Sequence, residues 1–448
     1  SHLVTKTKTL YVDQHNRSFA WGLTVAFRWI HAYVFGPDDV WASSKIDISG
    51  VKGRRTLISL LVDWSLSSVD RLGFDPTIRY VLDGSIGSPY LEIDVHNVDE
   101  STGQVEKRTY YSKRCIGGAE RRTGRHDRCF AVSTNPESMD TPTFLIKDAW
   151  TISGGGSTDD MRENSFLNVL HAEFDESSEF GGSFTQPVSA GPVQISRGDT
   201  LVEDSTDTAL GGLTDISKVR QHRRTLVKWA GNPISAADDP NQVVVAIADA
   251  MIALNEAYTK CKIVHGNISD QAILFLKSAD GVKGVLAEFG YASYIGDSPH
   301  AVEAPELIRF KSIRSLENPG ATRTRLDDWE SILYLICWLG IFGINATQRR
   351  EFAADQDRRR AARRAAQFTG RYPTERISFL SILNWNNDTS SAIDYKRSHM
   401  HDIRYFDNAI LSEMRDSPLR QLAEDIYMAL FRHPDCYGTY KVSDENLN

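Results

Sequence analysis

The chain has 448 residues, of which 41% are hydrophobic and 25% charged, enough for a sizeable core and for more than one average domain. With 51 Lys and Arg against 59 Asp and Glu, the net charge is -8, which excludes nucleic-acid binding through the overall field and leaves only local basic patches. Five cysteines, at 115, 129, 261, 337 and 436, form no C-x-x-C pair, and Cys261 and Cys337 sit in apolar helical contexts. That is the pattern of reduced thiols, so an intracellular protein, cytoplasmic or nuclear, is expected. Ser1-His2-Leu3 opens the chain without the charged and apolar regions of a signal peptide, in keeping with that expectation.

In chain order, residues 8–48 alternate apolar and polar positions, with Leu23–Phe27, Trp29–Phe35 and Val40–Ile48 around a turn at Gly36-Pro37-Asp38-Asp39, the pattern of a strand meander. Leu57, Leu60, Leu61 and Trp64 then recur at i, i+3, i+4 and i+7, an apolar helical stripe that must pack on something. Strand-like runs follow at Tyr90–Val95, Thr109–Ser112, Arg128–Val132 and Thr143–Ile146. From about Glu173 to Ser217 the chain is rich in Gly, Ser, Thr, Asp and Glu with little periodicity, so an acidic flexible insertion is expected there. Val244, Ile247, Met251, Leu254 and Tyr258 lie three to four residues apart on one helix ending before Val264. Two apolar runs, Ile273–Lys277 and Val282–Ala287, flank Asp280-Gly281, and a D-G turn between such runs predicts a hairpin. The longest apolar run, Ile332–Ile344, falls short of the roughly 20 residues needed to span a bilayer and reads as a buried helix.

Two loops bracket that hairpin. The first is Val264-His265-Gly266-Asn267-Ile268-Ser269-Asp270-Gln271-Ala272-Ile273-Leu274 and the second Ala287-Glu288-Phe289-Gly290. Upstream stand Leu72-Gly73-Phe74-Asp75-Pro76-Thr77, Phe144-Leu145-Ile146-Lys147-Asp148-Ala149-Trp150, and Arg220-Gln221-His222-Arg223-Arg224-Thr225-Leu226-Val227. Downstream stand Ala304-Pro305-Glu306 and Asp327-Asp328-Trp329-Glu330-Ser331. In this order, from roughly Ala20 to Leu430, they resemble the fungal-type protein kinase family. The resemblance implies an α+β, bilobal protein-kinase-like fold with an N-terminal β-rich elaboration. It implies family-specific strands and a helix over 1–110, a small lobe over 111–231 that includes the acidic insertion at about 173–217, and a mainly helical large lobe over 232–448.

The resemblance also implies roles. Lys147, at a strand end like the V-A-I-K lysine, would pair with nucleotide phosphates. Glu163 would orient it, with Glu173 a weaker candidate, and Val227 and Gly124 would lie at the nucleotide. ATP is thus the implied cofactor. Around Gly124 a single glycine stands where the phosphate-covering loop needs three, with His126 and Asp127 beside it; glycine is what lets backbone approach phosphate closely.

Read against H-R-D-x-x-x-x-N and D-F-G, Asn267 stands at the catalytic-Asp position, Ala272 at the metal-Asn position and Glu288 at the metal-Asp position. A carboxamide cannot accept a proton near neutral pH, and losing a general base costs roughly 10²- to 10⁴-fold. Ala272 has no ligand atom, and the extra methylene of Glu288 moves its oxygens by about 1.5 Å from an ion with strict octahedral demands, which weakens the case for Mg²⁺. Gly266 removes a cation that could pair with an activation-loop phosphate, whereas Asp328 matches the Asp that holds the catalytic-loop backbone. A pseudokinase acting by binding, scaffolding or allosteric control, with a protein partner, is therefore expected. One alternative is a slow serine/threonine kinase using Lys147, Glu163 and Glu288. Another is a binder of nucleic acid or an acidic ligand through Arg349-Arg350, Arg358-Arg359-Arg360 and Arg363-Arg364, although Glu351, Asp355 and Asp357 interleave with them. No G-x-S-x-G or H-E-x-x-H occurs.

Overall fold

The computed structural model describes residues 7, 10–11, 13–36, 40–82, 86–98, 105–117, 128–152, 159–175, 177–210, 219–279, 281–297, 308–369, 385, 388–401, 403–414 and 418–431. Helices and strands are mixed, an α+β architecture. The chain forms two compact units, one of residues 1–162 and 187–229, the other of 163–186 and 230–448.

In the first unit, Ala20–Ala26 and Trp29–Phe35 form a hairpin in full register, and Val40–Ala42 and Ile46–Asp47 pair with the second strand. The helix Val51–Leu66 follows. A three-stranded sheet of Ile78–Val81, Tyr90–Val98 and Val105–Ser112 comes next. A five-stranded sheet runs in the order Pro187–Pro192, Arg220–Lys228, Phe144–Ile152, Arg128–Val132, Cys115–Gly117. Alternation decides the faces. Phe130, Val132, Ile146 and Leu226 turn to one side and form a core with Ile78, Leu91, Ile93, Val95 and Tyr110 of the three-stranded sheet.

The stretch 173–217 departs from the expectation of a segment without regular structure. It holds the strands Pro187–Pro192, Gln194–Arg197 and Thr200–Glu203 and the helix Thr206–Leu210. Its stability comes from the neighbouring strand: Pro187–Pro192 pairs with residues 223–227, the Arg220 N–H donates to the Thr206 hydroxyl, and Val193 and Ile195 are buried. A polar segment can be ordered when a sheet edge takes up its backbone groups.

In the second unit, the helix Pro240–Cys261 is capped by the Asp239 side chain and turns Val243, Ala246, Ile247, Ala250, Ala253, Leu254 and Ala257 inward. It packs with the almost wholly buried helix Arg325–Phe342 and with Pro418–Phe431. The hairpin Ile273–Ser278 with Gly281–Leu286 lies on Pro240–Cys261, and Gly284 is required there, since a Cβ would come within 2.4 Å of the Ala246 carbonyl oxygen. Among the described residues no single helix is long and apolar enough to cross a membrane; the bent pair Arg325–Phe342 and Ala346–Asp355 passes by composition, but the first of these is a core helix.

Candidate functional site

Two places concentrate chemistry, one in each unit. In the second unit the strand Ile263–Val264 ends at His265, and the loop to Ala272 is tied to the residues before Glu288 at two points. The His265 ring lies 2.8 Å through Nε2 from the Ala287 carbonyl, and the Ala287 N–H donates to the Ala272 carbonyl at 2.9 Å. His265 also meets the Phe289 ring edge-on, and Phe289 is wholly buried in the core. The structure therefore brings together the loop of Asn267 and Ala272 with the loop of Glu288, as the sequence implied.

Asp328 holds this loop from below. Its carboxylate accepts the N–H groups of His265 at 2.8 Å and Gly266 at 2.7 Å. Burial pushes the Asp328 carboxyl up to about 7, against these two bonds, which favour the charged form. The neighbouring Asp327 is a different device: the Thr324 N–H donates to it at 2.8 Å, at the start of the helix, and Ser312 and Arg314 bond it as well.

Three details bear on what this loop can do. Ala272 is completely buried, so its position offers no ligand atom and no room for one without rearrangement. Glu288 adopts a left-handed backbone, φ 68° and ψ 44°, a conformation that non-glycine residues take at a cost and that clusters at functional turns. Gly266 has φ +73°, and a Cβ there would lie 2.1 Å from an Arg323 guanidinium nitrogen. Arg323 donates from that group to the Tyr291 carbonyl at 2.9 Å. Sequence reasoning missed Arg323: the space left by the small residue at 266 is filled by a cation arriving from 57 positions on, a contact with no local signal. With one carboxylate at 288, an amide at 267 and a methyl at 272, the donor set does not fit a pair of magnesium ions.

In the first unit, Lys147 pairs across the sheet with Thr225 and Cys129, and Leu145 with Val227 and Ala131. Directly opposed residues share a face. Lys147, Leu145 and Val227 thus lie on the face opposite the core, a cation beside an apolar wall. Glu163 is a buried residue of the helix Asp159–Glu173, counted with the second unit. Gly124 and Ala304-Pro305-Glu306 lie outside the described residues.

Beneath Lys147, on the core side, is a buried ion network the sequence did not announce. All five Arg224 donors are used: Nε and Nη2 to Asp148, Nη2 to Asp75 at 3.0 Å, and Nη1 to the Thr77 hydroxyl and the Asp94 carbonyl. His222 places Nε2 2.9 Å from Asp148 and Nδ1 2.9 Å from Asp204. Burial alone would lower the imidazole, but Asp148 and Asp204 outweigh it and hold its pKa at about 10, so the ring is a cation at neutral pH. Asp148 is correspondingly held well below the carboxylate range despite its burial, by His222 and Arg224. Asp75, Asp148 and His222 converge closely enough to suggest metal ligands. Arg224 already bonds both carboxylates, however, so the positive charge this cluster needs is covalently part of the chain. Three separate sequence segments, 72–77, 144–150 and 220–227, meet in this network.

The Arg-rich helix is Ala346–Thr369. Arg349 donates to the carbonyls of Ser235, Gly343 and Ile344, Arg358 pairs with Asp355 one turn back, and Phe352 packs on the core. The side chains of Arg359, Arg360, Arg363 and Arg364 lie outside the described set.

None of the curated proteins compared with the chain matches it. A family model described as fungal protein kinase matches residues 1–176 and 172–340, more than half of the chain, and the segments that build both sites lie within those ranges: the chain belongs to the fungal protein kinase family.

Proposed function

We propose that the chain is a pseudokinase of this family, a bilobal kinase-like protein that works by binding and allosteric control of a protein partner inside the cell. The observation that carries this reading is the contrast within one loop. Its backbone is held by Asp328 as a working loop would need, while Asn267 and Ala272 replace the base and the ligand that the reaction requires. Lys147, flanked by Leu145 and Val227 on one sheet face, supports ATP as a ligand, with Glu163 orienting the lysine and Gly124 at the phosphates. A nucleotide there would act as a structural effector and not as a substrate.

A second reading, a slow protein kinase, is favoured by one observation. Glu288 keeps a carboxylate in a strained left-handed turn, which a chain freed from metal binding has no need to retain. Unfolding temperature with and without millimolar ATP, in magnesium and in EDTA, separates the readings, because a ligand of the folded state raises stability by mass action. A shift that survives EDTA supports the pseudokinase. A magnesium-dependent shift, with phosphoryl transfer abolished by Lys147→Met, supports the kinase; no shift in either medium removes the nucleotide from the proposal.

A further inference from the structure

The helix Val51–Leu66 has two apolar sides. Gly53, Leu57, Leu60 and Trp64 face its own unit: Gly53 is pressed on the Asp47 carbonyl and Trp64 lies against Trp21. On the other side, Val51, Ile58, Leu61, Val62 and Leu66 recur at helical spacing and are 59%, 60%, 46%, 47% and 81% exposed. The apolar stripe read from the sequence grouped Leu61 with the inner residues; in the structure it belongs to the outer face. Ile58, Leu61, Val62 and Leu66 form a contiguous patch on one exposed face, with Val51 nearer the start of the helix across the exposed Arg54 and Arg55, and such a patch needs an explanation that scattered apolar residues do not.

The charges on this helix say what covers it. Its first five residues hold Lys52, Arg54 and Arg55 with no acid, and toward its end stands Asp63 with no base in the last turn. That order opposes the helix dipole at both ends. Lys52 and Asp63 are eleven residues apart, three turns, and so flank the same edge of the outer face. Among the described residues neither forms an ion pair within the chain. A second copy of the helix laid antiparallel across the patch corrects all three features. It buries the aliphatics, sets Lys52 against Asp63 of the second copy twice through the two-fold axis, and places each basic start beside the other helix's negative end. A lipid surface would instead call for basic residues along the whole polar face.

We propose that the outer face of Val51–Leu66 is the seam of a homodimer in which two copies of this helix pair antiparallel. The helix is about 24 Å long, so the seam is small and the dimer is of the weak, reversible class.

The test is sedimentation velocity of the full chain from low micromolar concentration upward, with circular dichroism as a folding control. A concentration-dependent dimer is expected, weakened roughly tenfold or more in Ile58→Glu and Val62→Glu, both exposed positions. Lys52→Glu and Asp63→Lys should each weaken self-association, and mixing these two single variants should restore a heterodimer, since at positions 52 and 63 one then carries only acids and the other only bases. A monomer at all concentrations, a dimer indifferent to Ile58→Glu and Val62→Glu, or a mixture that fails to pair overturns the proposal. So does binding of the wild-type monomer, but not Ile58→Glu, to phosphatidylcholine–phosphatidylserine vesicles, which would make the occupant a membrane.

Discussion

At the scale of single residues, the buried guanidinium of Arg224 is the most demanding group in the first unit. It stands among Asp75, Asp148 and the Asp94 carbonyl with every donor bonded. Removing one member of a buried ion network leaves the others charged and unpaired, at about 3–5 kcal/mol. Arg224→Ala should therefore lower the unfolding free energy of this unit by that order in urea titrations; a loss below about 1 kcal/mol would mean that water enters and replaces the guanidinium. Phe27 makes the opposite case. It is fully exposed at the hairpin tip with φ 53°, and a left-handed backbone costs a non-glycine residue about 1–2 kcal/mol, only partly offset by the entropy glycine loses on folding. Phe27→Gly should leave stability unchanged or raise it by up to about 1 kcal/mol, seen as an equal or higher melting temperature. The Asp-Gly of a two-residue turn announces itself in sequence, but Phe27-Arg28 does not, and the turn there is imposed by the flanking register Ala26 to Trp29.

At the scale of elements, the loop 265–272 depends on one carboxylate. Asp328→Ala strands the N–H groups of His265 and Gly266, each worth about 1–3 kcal/mol when left buried and unsatisfied. Amide exchange at 264–268 should accelerate markedly while exchange in the helix Pro240–Cys261 stays slow. The sign of the pH effect follows from the raised carboxyl. With a folded value near 7 against about 3.9 unfolded, the stability Asp328 contributes is fully present below pH 4 and is lost as pH rises through 7. Asp328→Asn should flatten that slope, and an unchanged slope between pH 4 and 7 would assign it to another group. This loop and its hairpin were legible because their signals are local: apolar runs on each side of a D-G turn, and an Asp at the start of an apolar helix. The strands within 173–217 were not, because what orders them is the strand at 220–228, whose His222 also receives the segment's own Asp204, partners named nowhere in the segment's own composition. The Leu57–Trp64 stripe was legible as a helix, yet periodicity could not say that a second apolar face stays outside.

At the scale of the whole molecule, two buried bases, one held charged and the other pushed toward its neutral form, give the two units opposite responses to pH. His222, held at about 10 in the first unit against about 6.5 unfolded, contributes stability that is complete below pH 6.5 and is lost as pH rises through 10. Lys396 lies in the second unit, fully buried, donating to the carbonyls of Ile308 and Lys311 with its Nζ over the Tyr334 ring. Burial pushes it down to about 7, with Lys311 lowering it further and Glu330 opposing. Its contribution is present above the unfolded value of about 10.4 and is lost as pH falls through 7. Between pH 7 and 10, then, these groups weaken one unit while strengthening the other, and unfolding of the chain should cease to be a single transition. Hydrogen exchange compared as protection factors, which remove the intrinsic pH dependence, reads this directly. Peptides from Phe144–Ile152 should lose protection over that range relative to peptides from Arg325–Phe342. His222→Asn should abolish the first slope and Lys396→Met the second, each leaving the other intact, because the two groups sit in different units and share no partner. Parallel slopes in the wild type that neither substitution alters would show that His222 is neutral or that Lys396 is charged in the folded protein.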